Sequence, residues 1–149
     1  VTKNGGEKPL RTAAHRAVAA LALLTAILGL ANLGRMAMAI RYAGRLPDLP
    51  MTVTWPYLAV KGGLWGVGFI TCTAGLLRLQ PWGRWATLAA STLYQLHVWI
   101  DHALFDASDY ARQTRPRDLA LTILFLGIVW GVLNWPTVRR IFRHQGATD

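Results

Sequence analysis

Charge is scarce in this chain, and acidic charge is scarcest. Only 15% of its 149 residues are Asp, Glu, Lys or Arg, against roughly 25% in a typical soluble domain. Seven acids face sixteen basic residues. Cys72 is the single cysteine, which excludes an intramolecular disulfide and a thiol-based metal site and reads as a small buried hydrophobe. No Walker glycine loop, nucleophile elbow, His-Glu-x-x-His pair or Cys-x-x-Cys occurs, so the usual sequence signatures of nucleotide, acyl-transfer, zinc-protease and dithiol chemistry are missing. No segment alternates with period two, which argues against membrane strands.

What is present is apolar. Hydrophobic residues make up 53%, with seven Trp and fourteen Gly. The net charge is +9, but the basic residues sit in short clusters between apolar runs. That pattern follows the positive-inside rule and differs from the basic patch of a nucleic-acid binder. The chain begins Val1-Thr2-Lys3, as a non-standard start codon or N-terminal processing would leave it. Lys3, Lys8, Arg11 and Arg16 precede the first apolar run as in a signal peptide, but that run is too long and three more follow, so it reads as a retained signal anchor.

A spanning helix needs about 20 mostly apolar residues. Four segments qualify, and the sequence predicts a single all-α transmembrane domain over 1–149, an integral membrane four-helix bundle. The helices are expected at about 13–43, 53–77, 82–105 and 118–135, with basic cytoplasmic tails at 1–12 and 137–149. Pro47 and Pro50 stiffen the first connection. Pro81 opens the third helix after a turn short enough to make helices two and three antiparallel neighbours. The polar stretch 106–118 forms the third connection, with Asp118 placed to cap helix four, and Pro136 marks that helix's end.

The termini and the Arg78–Arg84 turn carry nine basic residues against two acids (Glu7 and Asp149). The other two loops carry five (Arg41, Arg45, Arg112, Arg115 and Arg117) against five acids. The excess places both termini inside, in a bacterial cytoplasmic membrane. Trp55, Tyr57, Trp82, Trp85, Trp99 and Trp135 fall near the expected boundaries, as an aromatic belt does. Arg139, Arg140 and Arg143 form a tail suited to anionic lipid, each charge contributing about 1 kcal/mol near the surface.

Polar groups inside spans point to function. Arg35, Lys61, Tyr94, His97, Asp101 and His102 all fall toward the outer leaflet. Tyr94, His97 and Asp101 share one face of helix three by their spacing of three and four, and Gln95 and His102 share a neighbouring face. Two readings follow. One is a pocket for a quinone head group or a proton relay. The other, which the sequence favours, is a set of interhelical contacts in which Asp101 neutralises Lys61 or Arg35. His97 and Asp101 offer two ligands where a closed zinc site wants about four, so neither a metal nor a cofactor of the chain's own is expected. Gly62–Gly66 and Gly127–Gly131 are small-xxx-small pairs. They serve close packing within the bundle or docking of another subunit.

The layout, four spans with the tight Pro81-Trp82-Gly83-Arg84 turn, resembles the small four-helix bacterial membrane proteins that serve as accessory subunits of electron-transfer assemblies, such as those of the alternative complex III type. That resemblance implies a non-enzymatic subunit that stabilises or docks its neighbours in a respiratory or photosynthetic complex. Its partners would be other integral membrane subunits and lipids, with a quinone at most in a neighbouring site and no nucleic acid. The alternative from a different class is a small membrane enzyme or quinone-binding protein using the polar cluster of helix three.

Overall fold

A computed structural model describes residues 7–45, 54–105 and 109–145, and their side chains over 10–45, 54–105 and 115–143. The described residues are helical apart from short turns, and none forms a strand. Five helices follow in order: α1 (Glu7–Ala43), α2 (Trp55–Leu77), α3 (Pro81–Phe105), α4 (Asp109–Asn134) and α5 (Pro136–Gln145). Three of them hold stretches long and apolar enough to cross a membrane, Leu10–Ala43, Trp55–Leu77 and Arg115–Asn134. α3 is long enough, rising about 37 Å, but more polar.

α1 and α2 make the tightest pair. Ala22, Thr25, Gly29 and Asn32 of α1 are buried along one stripe, and α2 meets it with Gly62 and Gly66. A Cβ on Gly62 would stand 2.7 Å from the Asn32 carbonyl oxygen, and one on Gly66 would stand 2.6 Å from Leu33. Without side chains at these positions the backbones approach closely, as packing in lipid requires. The Thr25 and Thr73 hydroxyls lie 2.9 Å apart across the seam.

α2 turns into α3 within three residues. The N–H groups of Leu79 and Gln80 donate back to the Leu76 and Gly75 carbonyls, a Schellman closure. Leu79 occupies the left-handed position with φ of 52°. A glycine would be more comfortable there, but Leu79 packs its side chain against the core. Gly75 and Gly83 touch backbone to backbone across this turn: a Cβ on Gly83 would fall 2.4 Å from the Gly75 carbonyl carbon.

From α1 to α4, successive helices are antiparallel. Arg84, early in α3, reaches Leu133 and Asn134 at the end of α4, and Trp99 and Gln95 meet Thr122 nearer its start. At the α5 end of the bundle, Ala14, Val18, Leu21, Leu76, Leu88, Val129, Leu133, Val138 and Phe142 form a dry core.

Three expectations change. The fourth helix starts at Asp109 and passes through Pro116, so Asp118 lies inside it and does not cap its start. Residues 137–145, read as part of a basic tail, belong to α5, which buries Val138, Ile141 and Phe142 and exposes Arg139, Arg140 and Arg143. α1 begins at Glu7, not at about 13. The first six residues, the stretch 46–53 with its prolines, and Asp106 lie outside the described residues.

Candidate functional site

The far end of the bundle, away from α5, holds the polar cluster. α2 contributes Tyr57 and Lys61 and α3 contributes His97 and Asp101, each pair four residues apart. A spacing of four brings both members of a pair to one face of a helix, and the two faces meet.

Asp101 is the centre. Its Oδ2 accepts a hydrogen bond from Lys61 Nζ in an ion pair. Its Oδ1 accepts from the Tyr57 hydroxyl at 2.6 Å. His97 Nε2 stands 3.1 Å from the same hydroxyl and 3.7 Å from Oδ1. Both carboxylate oxygens are therefore engaged. The Lys61 and Asp101 side chains keep about a fifth of their surface exposed, 20% and 18%, so the pair is only partly withdrawn from solvent.

An aromatic wall backs the cluster. Trp65 lies edge-on to Tyr94 and to His97, with centroids 5.3 and 5.8 Å apart. Phe69 meets Tyr94 at 5.2 Å, and Tyr57 stacks on His97 at 6.3 Å. Such pairs add about 0.5–1.5 kcal/mol each beyond their area. The Trp65 indole N–H is buried with no hydrogen-bond partner.

The expected residues thus divide. Lys61, His97 and Asp101 come together, and Tyr94 supports them through its ring. Arg35 is exposed on α1 and does not join Asp101. It lines a separate cavity of about 570 Å³ between α1 and α2, with Lys61, Gly62, Asn32, Tyr42 and Trp55 among the walls. His102 turns the other way, its ring tilted against Trp99 with centroids 5.6 Å apart. With Gln95 it lines a cleft of about 530 Å³ against α4, as their shared face predicted. There the Trp99 indole donates to Thr122, which donates to Gln95 Oε1, both at 3.2 Å.

Two partners escaped sequence reasoning. Tyr57 reads as a belt aromatic, although its spacing of four from Lys61 matches that of His97 and Asp101. Arg84 reads as a topology charge. It is instead buried, with Nε donating to the Leu133 carbonyl and Nη2 to Asn134 Oδ1, both at 2.8 Å. The guanidinium sits on the negative end of α4, where a cation is favoured.

The glycine pairs also divide. Gly62 and Gly66 pack within the bundle. Gly127 and Gly131 are exposed, and a Cβ at either would meet nothing within 4 Å. Neither packs against another helix among the described residues.

Among the described residues no three His, Cys, Asp or Glu side chains gather as a metal set. Comparison with known protein families, curated proteins and solved structures finds no match to this chain.

Proposed function

We propose that this chain is a four-span structural subunit of a larger bacterial membrane assembly, with both termini cytoplasmic, and that α4 is the helix that meets the partner. The carrying observation is the state of α4. Only 11% of its most apolar window is buried, against 33% for α1 and α2. Its two glycines lie on open surface. A glycine inside a helix costs about 1 kcal/mol relative to alanine. Among the described residues nothing offsets that cost at Gly127 or Gly131. A transmembrane helix of another subunit, seated on the small-residue face, would offset it through close backbone contact.

α3 supplies the fourth crossing in this reading. It lies antiparallel between α2 and α4, so if both of these cross, α3 runs through the same layer. Its charges are matched for that setting, Arg84 on the end of α4 and Asp101 on Lys61. A paired charge is the tolerated kind within a membrane. The closed hydrogen bonding of Asp101 supports a staple between helices over a reacting group. The layout's resemblance extends the proposal to an electron-transfer assembly whose redox groups belong to other subunits.

Purification from the native membrane in mild detergent tests the subunit reading. Co-purifying membrane subunits, crosslinked to a photoreactive residue at Ile128, are expected. A free monomer with no crosslink overturns it. For the topology, Cys72→Ser carrying single cysteines within 106–118 should label from outside; labelling only from the cytoplasmic side overturns that part.

A further inference from the structure

α5 follows α4 after one break at Trp135 and packs on α1, α3 and α4. Burial of Val138, Ile141 and Phe142 fixes its rotation, so Arg139 and Arg143 are held exposed. They are four residues apart and share one face of the helix. Both lie near enough to Arg84 to act on its charge. One buried and two exposed guanidinium groups therefore converge where α3 begins and α4 ends. Among the described residues none of the three makes an ion pair with an acid. The termini and the Arg78–Arg84 turn together hold only Glu7 and Asp149 against nine basic residues. Even with both acids paired, seven of the nine cations would remain.

The surroundings suit one kind of counter-ion. Trp82, Trp85 and Trp135 are exposed at this same end, the level at which amphipathic rings meet lipid head groups. The Arg84 guanidinium lies over the Trp85 ring, 4.6 Å from its centroid. From Trp85 an exposed face of α3 leads toward the middle of the bundle. Trp85, Ala89, Thr92 and Leu96 follow at spacings of four, three and four, which sets them on one face, and all are exposed. That face rises about 16 Å, with small side chains between Trp85 and Leu96. Trp130 of α4 borders it, its indole donating to Thr92 at 3.2 Å. The cations thus lie at the end of the bundle and the apolar face runs inward from them, the order of a phospholipid's head and chains. Guanidinium matches phosphate oxygens two at a time. A loose basic tail would attract anionic lipid diffusely, whereas a helix locked by its apolar stripe presents two guanidinium groups at a set spacing.

We infer that Arg139 and Arg143 clamp the phosphate of an anionic phospholipid beside Arg84 and Trp85, with an acyl chain running inward along the Ala89, Thr92 and Leu96 face of α3. The lipid neutralises guanidinium groups that α5 otherwise crowds together, and so helps to hold α5 on the bundle. The site rests on the membrane setting of the helices and on no protein partner.

Native mass spectrometry of the full chain reads this out, with phosphatidylglycerol, phosphatidylcholine, inorganic phosphate and a short single-stranded oligonucleotide as probes. Phosphatidylglycerol should bind at one tight site, and phosphatidylcholine at least tenfold more weakly. Arg139→Gln and Arg143→Gln should each weaken phosphatidylglycerol about fivefold. Arg16→Gln removes the same charge at this end but from the far side of α1, since Arg16 is two residues from both Ala14 and Val18 of the buried stripe. It should bind as the unaltered chain does. Helical circular dichroism without lipid should hold in all three variants. Phosphatidylglycerol should raise the melting temperature of the unaltered chain more than that of Arg143→Gln. Unchanged phosphatidylglycerol binding in Arg139→Gln and Arg143→Gln overturns the inference. So does an equal loss in Arg16→Gln, which would make the attraction diffuse, or equal binding of phosphatidylcholine. Displacement of the lipid by equimolar inorganic phosphate overturns it as well, as does tighter binding of the oligonucleotide, which would make this end a nucleic-acid surface. A chain that purifies without partner subunits changes none of these outcomes.

Discussion

At the α5 end of the bundle, Leu76, Leu88, Val129, Leu133, Val138 and Phe142 close a dry core from four helices. At the opposite end α2 and α3 are joined chiefly by Asp101, Lys61, Tyr57 and His97, and two cavities open on either side. The difference shows how a small chain can be rigid where backbones touch and adaptable where polar groups bridge a gap. Dispersion between close-packed surfaces tolerates no extra atoms. A hydrogen-bonded network with partial solvent access tolerates substitution at modest cost.

The largest expected effect lies at the packed end. Gly83→Ala sets a Cβ 2.4 Å from the Gly75 carbonyl carbon, and backbone on both sides cannot yield. A loss of about 3 kcal/mol is expected for such overpacking, read as a lower melting temperature in detergent. A loss below about 1 kcal/mol would remove the claim that this end is the rigid one.

Next comes the clamp on α4. Arg84→Gln gives up the charged contact to the Leu133 carbonyl and should cost about 2 kcal/mol by the same melt. Arg84→Lys should recover only part of that, because an ammonium does not reproduce the two-directional guanidinium geometry that spans Leu133 and Asn134. Full recovery would reduce the interaction to simple charge.

The smallest effect, and of opposite sign, belongs to the exposed face. Gly127→Ala and Gly131→Ala should each stabilise the isolated chain by up to about 1 kcal/mol, since helix propensity rises and nothing clashes. The same variants should lower the yield of co-purifying subunits. Gain of stability with undiminished partner recovery would separate the glycines from docking.

Much of this was legible in the sequence, and the misses have physical causes. Gly62 and Gly66 stood out because close packing in lipid selects small residues at that spacing, and Pro81 because it opens a helix after a short turn. The Lys61–Asp101 pair was readable as two opposite charges at comparable depth on antiparallel neighbours. Tyr57 was hidden because one residue type serves both as an interfacial anchor and as a hydrogen-bond donor. Arg84 was hidden because a charge count ignores where the guanidinium reaches. α5 was read as tail because three arginines mask the apolar stripe of Val138, Ile141 and Phe142. The start of α4 was misplaced because the polar stretch 106–118 reads as a connection and Asp118 as a cap, whereas the helix already runs from Asp109 through Pro116. The exposure of Gly127 and Gly131 depends on the rotation of α4 about its axis, which the pattern Gly-xxx-Gly leaves open.

The central claim is that the polar end is an interhelical staple, and a double-mutant cycle tests it most directly. Asp101→Asn, Lys61→Met and the double variant are melted in detergent beside the unaltered chain. Removing Asp101 alone leaves Lys61 without its partner, so the double variant should be at least as stable as Asp101→Asn. The coupling should be about 1 kcal/mol, the scale of polar contacts between membrane helices. Additive losses would contradict the staple, as would an Asp101→Asn chain of unaltered stability whose parent assembly had lost electron-transfer activity.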